Sequence, residues 1–410
     1  MATTAAHANE TFLETGSTTR VSENGLPLSI ARTPSLDRVP SAEGRLYASV
    51  TAPTPAPEVS VVIPTRNRWG LLSRHALASA LSQVGVELEV IVVDDASDDG
   101  SEERLEAVRD PRVRMIFREQ RGGQAVALNE GIASARGEWI AFLDDDDLWS
   151  PRKLLAQLDA ASSNASFVYG SMATVDMSGQ VLENVPTPAP GELRRLLRRH
   201  NVLRCPSSVM ARSAFVRKIG GLDASLNELT DWDFFIRLAD AGRAAACDEL
   251  VVGYLVHPEN RRLRQDGDVE TEFRYLAAKH ERSELPLERA GFARWVAMGH
   301  LRAGRKLDAL GIYLRSALRD RDAGNAVRAG AALFGERAFR ARRRIAADRP
   351  ELPWLQLYLG DGAAPDDGGD GPEVLGVEAA LEQDQRAEEE HGAGEHGEAE
   401  GAAERDHRGG

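Results

Sequence analysis

The sequence predicts an α/β protein, with a mostly parallel central sheet flanked by helices, a C-terminal helical extension and disordered termini. Three observations carry this expectation. Short β-branched runs, Val59-Ser60-Val61-Val62-Ile63 and Val90-Ile91-Val92-Val93, read as buried strands. Helical periodicity separates them, as in Leu71 to Val84, where Leu77, Leu81 and Val84 share one face. Polar or acidic residues close successive strands, at Thr65-Arg66-Asn67, Asp94-Asp95 and Asp144-Asp145-Asp146-Asp147. This rhythm implies right-handed crossovers in a parallel sheet, whose ligands bind beyond the carboxyl ends of the strands.

The elements follow in order. Residues 1–56 are rich in Thr, Ser, Ala and Pro and read as a disordered arm and linker. Pro64 stops the first strand. Asp99 is placed to cap a helix with Glu102 three residues on. Val113 to Phe117 is a third strand, Gly122-Gly123 a turn, and Ala125 to Ala135 a helix stopped by Gly137. Trp139-Ile140-Ala141-Phe142-Leu143 is the next buried strand, and the four aspartates follow it directly. Phe167 to Gly170, Cys205 to Met210 and Val251 to Val256 are later strand candidates, and Asp231 to Leu238 a helix. Residues 57–271 form the α/β domain in this reading. Residues 272–350, rich in Ala, Leu and Arg, are the helical extension, and 351–410 an acidic, Gly-rich disordered tail.

The net charge of −14 sits in that tail. Residues 361–410 hold sixteen acidic and three basic residues, so the rest of the chain is close to neutral. No nucleic-acid partner follows. The two cysteines, Cys205 and Cys247, lack a Cys-x-x-Cys spacing and read as reduced cytosolic thiols. The sequence shows no basic-then-apolar leader and no run of about 20 apolar residues. A cytoplasmic protein is expected, at most peripheral to the inner face of the membrane.

A row of carboxylates at a strand end repels itself unless a cation neutralises it. Mg²⁺ and Mn²⁺ prefer oxygen ligands and bind one or two carboxylates together with substrate phosphates. Such a metal stabilises charge that builds on a departing diphosphate. The competing reading is a solvated acidic turn capping the helix that starts near Pro151.

From Val59 to about Asn260 the chain resembles the family 2 glycosyltransferases. The resemblance rests on Val59 through Arg68, on Val90 through Gly100, on Ala127-Leu128-Asn129-Glu130-Gly131-Ile132 through Glu138, and on Leu143-Asp144-Asp145-Asp146-Asp147, which matches the Asp-x-Asp element. It implies a nucleotide-diphospho-sugar transferase fold of the glycosyltransferase A type. It further implies inverting transfer of a sugar from a nucleoside diphosphate donor to a hydroxyl of a glycan or lipid-linked acceptor, with a divalent metal, Mg or Mn. By this resemblance Pro64, Thr65, Asn67, Asp95 and Asn129 belong to the nucleotide-sugar site. Asp144 and Asp145 belong to it as well, and Asp146 is the main metal ligand, with Asp144 supporting it or holding the ribose, although four consecutive aspartates leave the register open by one position.

Gly220-Gly221-Leu222-Asp223 and Thr230 through Leu238 resemble the acceptor side of the family. Thr230 stands where the family has Glu, with Glu228 as a substitute nearby. Asp231 matches the general base, a role a carboxylate fills by taking the acceptor's proton; the alternative is a helix N-cap. Trp232 is either an acceptor platform or core. His257 matches a His near the diphosphate or metal, although Leu255 replaces the family's Arg; a structural His is the alternative. In the extension, Arg337, Arg340, Arg342, Arg343 and Arg344 oppose Val327, Ala331, Phe334 and Ala338. This is either a membrane-surface helix or a solvated basic face. Two other functions remain: a non-catalytic nucleotide-sugar scaffold, and a nucleotidyltransferase, although Pro64-Thr65-Arg66-Asn67 lacks the glycines of a phosphate loop.

Overall fold

The β-branched runs form the centre of one sheet in the computed structural model, which describes residues 44–47, 56–257, 260, 269–335, 338–339 and 350–359. The strands are β1 (Gly44–Tyr47), β2 (Val59–Thr65), β3 (Leu88–Asp94), β4 (Val113–Arg118), β5 (Trp139–Phe142), β6 (Leu148–Trp149), β7 (Phe167–Asp176), β8 (Val181–Val185), β9 (Val209–Arg212) and β10 (Ala244–Val256). Their order is β1-β4-β3-β2-β5-β9-β7-β10-β6, with β8 paired to β7. Strands β4, β3, β2 and β5 are parallel, as the crossover rhythm requires. The sheet as a whole is mixed, because β9 is antiparallel to both β5 and β7, and β6 is antiparallel to β10.

Strand β2 runs through Pro64 to Thr65 instead of stopping before it. The Thr65 carbonyl accepts from Asp95 on the β3 side, and the Val62 carbonyl accepts from Leu143 on the β5 side. Pleat alternation therefore turns Pro64 toward β5, which pairs only with Val59–Val62. No ladder bond is lost there for want of an N–H.

Both sheet faces are covered. On one side Val62, Ile91, Ile140 and Phe142 pack with Leu128 and Ile132 of the helix Gln124–Ser134 and with Phe234 and Phe235. On the other, Val61, Ile63, Val90 and Val92 pack with Leu72, Leu77 and Leu154. Helix Gln124–Ser134 lies so close to β2 that a Cβ on Gly131 would sit 2.3 Å from Val62 Cγ1. Cys205 and Cys247 are buried free thiols.

Several expectations shift. Asp99 is not the N-cap: Gly100 holds that position, in the left-handed region, and Asp99 accepts from the Ser101 N–H and hydroxyl in the turn before helix Ser101–Ala107. Within Cys205–Met210, residues Pro206–Ser208 form a 3₁₀ turn and the strand begins at Val209. Residues 44–47, assigned to the arm, form an edge strand on β4. The remainder of 1–55 lies outside the described residues, as do 360–410. The tail boundary at 351 is too early. Pro353–Leu355 and Gln356–Leu359 fold against β6, β7 and β10, burying Leu355 and Tyr358 on Leu148, Val175 and Leu255, because Trp354, Leu355 and Tyr358 supply an apolar face.

The extension comprises the helices Val269–Lys279, Arg289–Arg302, Lys306–Asp320 and Ala323–Ala332. The first is tied to the domain through Asp233, a fully buried carboxylate bonded by Arg237, Lys279 and His280. Burial alone would raise the pKa of Asp233; these donors hold it well below the usual range. Arg337, Arg340 and Arg342–Arg344 lie outside the described residues. Among the described residues no helix is long and apolar enough to cross a membrane.

Candidate active site

The polar strand ends meet. Asp147 N–H donates to the Asp144 carbonyl, closing a tight turn after β5. Strand β6 leaves that turn antiparallel to β10, with Leu148 opposite Gly253. The carboxyl end of β10 therefore returns toward the aspartates and delivers His257, whose Nε2 lies 3.0 Å from Asp146 Oδ2. Arg68, from the loop after β2, donates through one Nη1 to both Asp145 Oδ1 and Asp146 Oδ2, each at 3.1 Å. Thr65 donates to Asp145 Oδ2 at 2.9 Å.

Geometry separates the four aspartates. Asp144 accepts from Gln124 Nε2 at 2.7 Å, and its N–H donates to Ser207 Oγ. Asp147 is fully buried and accepts from the same Ser207 hydroxyl at 2.6 Å. Asp146 is the one that meets both Arg68 and His257. Burial and the neighbouring Asp146 charge push the Asp145 carboxyl up to about 6, against the opposing pull of Arg68 and Thr65. His75 lies in a π-helical turn, Leu72–Leu77, of a kind enriched at functional sites. It is buried and pushed down to about 4, chiefly by that burial and then by Arg74 and His257. It stands neutral at physiological pH.

The second strand end has its own arrangement. Asp95 accepts from the Gly122 and Gly123 N–H groups, both at 2.7 Å, and is ion-paired with Arg118, whose Nε lies 3.0 Å from its Oδ1. Asp94 is buried, accepts from Ser97 N–H with Oδ1, and keeps Oδ2 without a protein partner; burial raises its pKa. A hollow of about 310 Å³ beside it is lined by Asp94, Ala96, Ser97, Phe117 and Arg118. A larger one of about 540 Å³, lined by Pro57, Glu58, Glu87 and Glu138, opens at the opposite strand ends, away from the aspartates. Asn67 and Ala96 both adopt the left-handed conformation, φ 54° and 59°. Asn67 N–H donates to Ser97 Oγ, and its side chain exchanges bonds with Asp98, so the strained loops hold each other.

Asn129 lies elsewhere. Its side-chain amide makes both its bonds to the Leu222 backbone, pinning helix Gln124–Ser134 to the Gly221 turn. Asp231 lies in the first turn of helix Thr230–Ala241, past an N-cap at Leu229 whose apolar side chain makes no capping bond, so the capping alternative fails. Its Oδ1 accepts from Trp232 N–H and its Oδ2 from Asn201 Nδ2 at 2.9 Å. That helix seats Phe234 edge-on against Phe142, two residues before Asp144. The segment from Asn201 to Ser207 thus touches Asp231 at one end and the aspartate turn at the other.

Could a metal be held here? Among the described residues no three His, Cys, Asp or Glu side chains converge as a complete ligand set. The donors present are the Asp146 carboxylate and the His257 imidazole, with Asp145 and Asp144 adjoining. Two protein ligands plus diphosphate oxygens suit Mg²⁺ or Mn²⁺. Together with diphosphate oxygens, Asp146 and His257 would hold such a metal, beside the positive charge of Arg68.

The glycosyl transferase family 2 model matches residues 60–220. These residues are a family 2 glycosyltransferase domain. The segment is similar to the succinoglycan biosynthesis protein ExoO of Rhizobium meliloti, at 39% identity over 127 residues, 31% of this chain and 36% of that one. It is also similar to the Escherichia coli UDP-Glc:alpha-D-GlcNAc-diphosphoundecaprenol beta-1,3-glucosyltransferase WfgD, at 33% over 119 residues, 29% of this chain and 47% of that one. The match thus spans less than half of either relative's length. Among solved structures, residues 1–349 of Staphylococcus aureus TarS in complex with UDP-GlcNAc align at a TM-score of 0.46 and 18% identity, over 64% of this chain and 82% of that one.

The glycosyltransferase domain uses residues that the sequence did not single out. Arg68 closes the Val59–Arg68 block, yet only the fold shows it bridging two aspartates. Gln124, Asn201 and Ser207 carried no signal beyond their polarity. Trp232 resolves toward core: it is buried, donates Nε1–H to the Leu197 carbonyl, and stacks on Phe273 and Phe292. Trp232→Ala should cost about 3–5 kcal/mol in urea unfolding, without a selective rise in acceptor KM. Asp145→Asn should stabilise the domain. A carboxyl raised from 3.8 to about 6 contributes stability below its unfolded value that is lost as pH rises through 6. The amide removes that loss, about 3 kcal/mol at pH 7.5. The loss accrues between pH 3.8 and 6, so unfolding curves at about pH 3.5 and 7.5 should show the gain almost wholly at the higher pH.

Proposed function

We propose that the protein transfers a sugar, with inversion, from a nucleoside diphosphate donor to a hydroxyl of a glycan or lipid-linked acceptor. The observation that carries this is Asp146, which gathers Arg68 and His257 at the carboxyl ends of the parallel strands. The diphosphate occupies this end of the sheet, and the base and ribose lie toward Asp94, Asp95 and the hollow beside them. A divalent ion, when bound at Asp146 and His257, supplies positive charge against the departing diphosphate. Arg68 swings from the carboxylates to the phosphate oxygens and adds to that charge.

Asp231 takes the proton of the acceptor hydroxyl as its oxygen attacks the anomeric carbon opposite the leaving diphosphate. Asn201 and the Trp232 N–H orient the carboxylate for this step. The name of the Escherichia coli relative, which includes a diphosphoundecaprenol acceptor, supports the lipid-linked alternative for the acceptor. The test is a panel of nucleoside diphosphate sugars, assayed for release of diphosphate nucleotide with Mn²⁺ and again with chelator. One donor should turn over with Mn²⁺ and lose most of that turnover with chelator. If no donor turns over under either condition while one binds by calorimetry, the protein is a scaffold instead.

A further inference from the structure

The exposed apolar residues of this protein are concentrated away from the catalytic domain. Six of the eleven large hydrophobic side chains exposed among the described residues lie between Leu307 and Phe334. In the helix Lys306–Asp320, Ala309, Tyr313 and Ser316 face inward and are buried. Leu307, Leu314 and Leu318, at 76%, 45% and 83% exposure, form a ridge on the opposite side at i, i+7 and i+11. Val327 and Phe334, outside this helix, are exposed at 74% and 76%. Such a concentration marks an interaction surface rather than scattered exposure.

Charge selects the occupant. From Arg289 to Ala332 the chain carries nine basic and three acidic residues. All three acids are already answered. Asp308 meets His300 and Arg305, Asp320 meets Arg319, and Asp322 meets Arg294. Among the described residues, Lys306, Arg315 and Arg321 have no carboxylate within ion-pair distance. Arg315 and Arg319 form the stripe next to Leu314 and Leu318, where long basic side chains can reach headgroups while the leucines enter the acyl boundary. A second copy would bring like charge against like charge, which disfavours self-association.

We infer that the outer face of helix Lys306–Asp320 docks on an anionic phospholipid surface. The inference stands apart from the sugar-transfer reading, because it needs neither donor nor acceptor. The test is co-sedimentation of the full chain, without donor, with vesicles of phosphatidylcholine alone and of phosphatidylcholine mixed with phosphatidylglycerol. The protein should sediment with the mixed vesicles only, and added salt should release it. Leu314→Ser with Leu318→Ser should weaken the partition about a hundredfold. Arg315→Gln with Arg319→Gln should weaken it about tenfold or more. Both pairs should retain the wild-type melting temperature. Equal sedimentation with both vesicle types, no sedimentation, or leucine variants that bind like wild type would overturn the inference. A dimer in light scattering that the leucine variants dissociate would assign the face to a second copy and overturn it as well.

Discussion

Asp146→Ala is expected to lower donor turnover by about a hundredfold or more while the protein keeps its fold. Groups aimed at developing charge contribute on that scale in a site that excludes water. Asp146 alone of the four aspartates meets both Arg68 and His257, so its loss removes the shared partner of a cation and an imidazole. In the proposed function it also helps to hold the metal. Turnover, Mn²⁺ binding by calorimetry and a thermal melt should separate the effects. Activity and metal affinity should fall together, with little change in melting. Asp147→Ala should behave in the opposite way. That carboxylate is fully buried and accepts from Ser207, so its removal leaves the hydroxyl's partner missing and costs stability first. A variant at 147 that melts normally but is inactive, beside an active variant at 146, would place the register one residue later.

The parallel half of the sheet was legible in the sequence because nothing else explains β-branched runs such as Val59–Ile63 and Val90–Val93 between helical periods. The antiparallel joints were not, since β9 is a four-residue strand whose first expected residues form a 3₁₀ turn. Pro64 misled in a specific way: a proline ends a strand only where its missing N–H faces a partner, and β5 has already ended there. Leu355 and Tyr358 were hidden by the composition of the tail that follows them. In the candidate site, the Asp144–Asp147 run and His257 were visible as residue types at expected positions. Their meeting was not, because β10 had to return antiparallel to β6 to bring residues 111 positions apart into contact. Arg68 with Asp146 and Ser207 with Asp147 are likewise pairs that chain spacing does not announce. Asn129 shows the reverse case. It lies in a recognisable block, yet its amide serves the Leu222 backbone.

Asp231→Asn should reduce transfer to the acceptor by about 10²–10⁴-fold, the range of a general base, while donor binding is kept. The substitution leaves size unchanged, but its new NH₂ faces the Asn201 Nδ2 that formerly donated to Oδ2. Asn201 cannot simply turn over, since its Oδ1 accepts from the Arg204 N–H. A stability loss of about 1 kcal/mol is therefore expected, and unfolding curves must accompany the kinetics. Asn201→Ala supplies the graded comparison. It leaves the carboxylate of Asp231 in place, with the Trp232 N–H still donating to it. If Asn201 positions the base, kcat for transfer should fall about tenfold with donor KM unchanged, between wild type and Asp231→Asn. Metal-dependent hydrolysis of the donor by water serves as the internal control. A base acting on the acceptor hydroxyl predicts that both variants lose transfer far more than they lose hydrolysis. A structural carboxylate predicts that the two activities fall in step with the melting temperature.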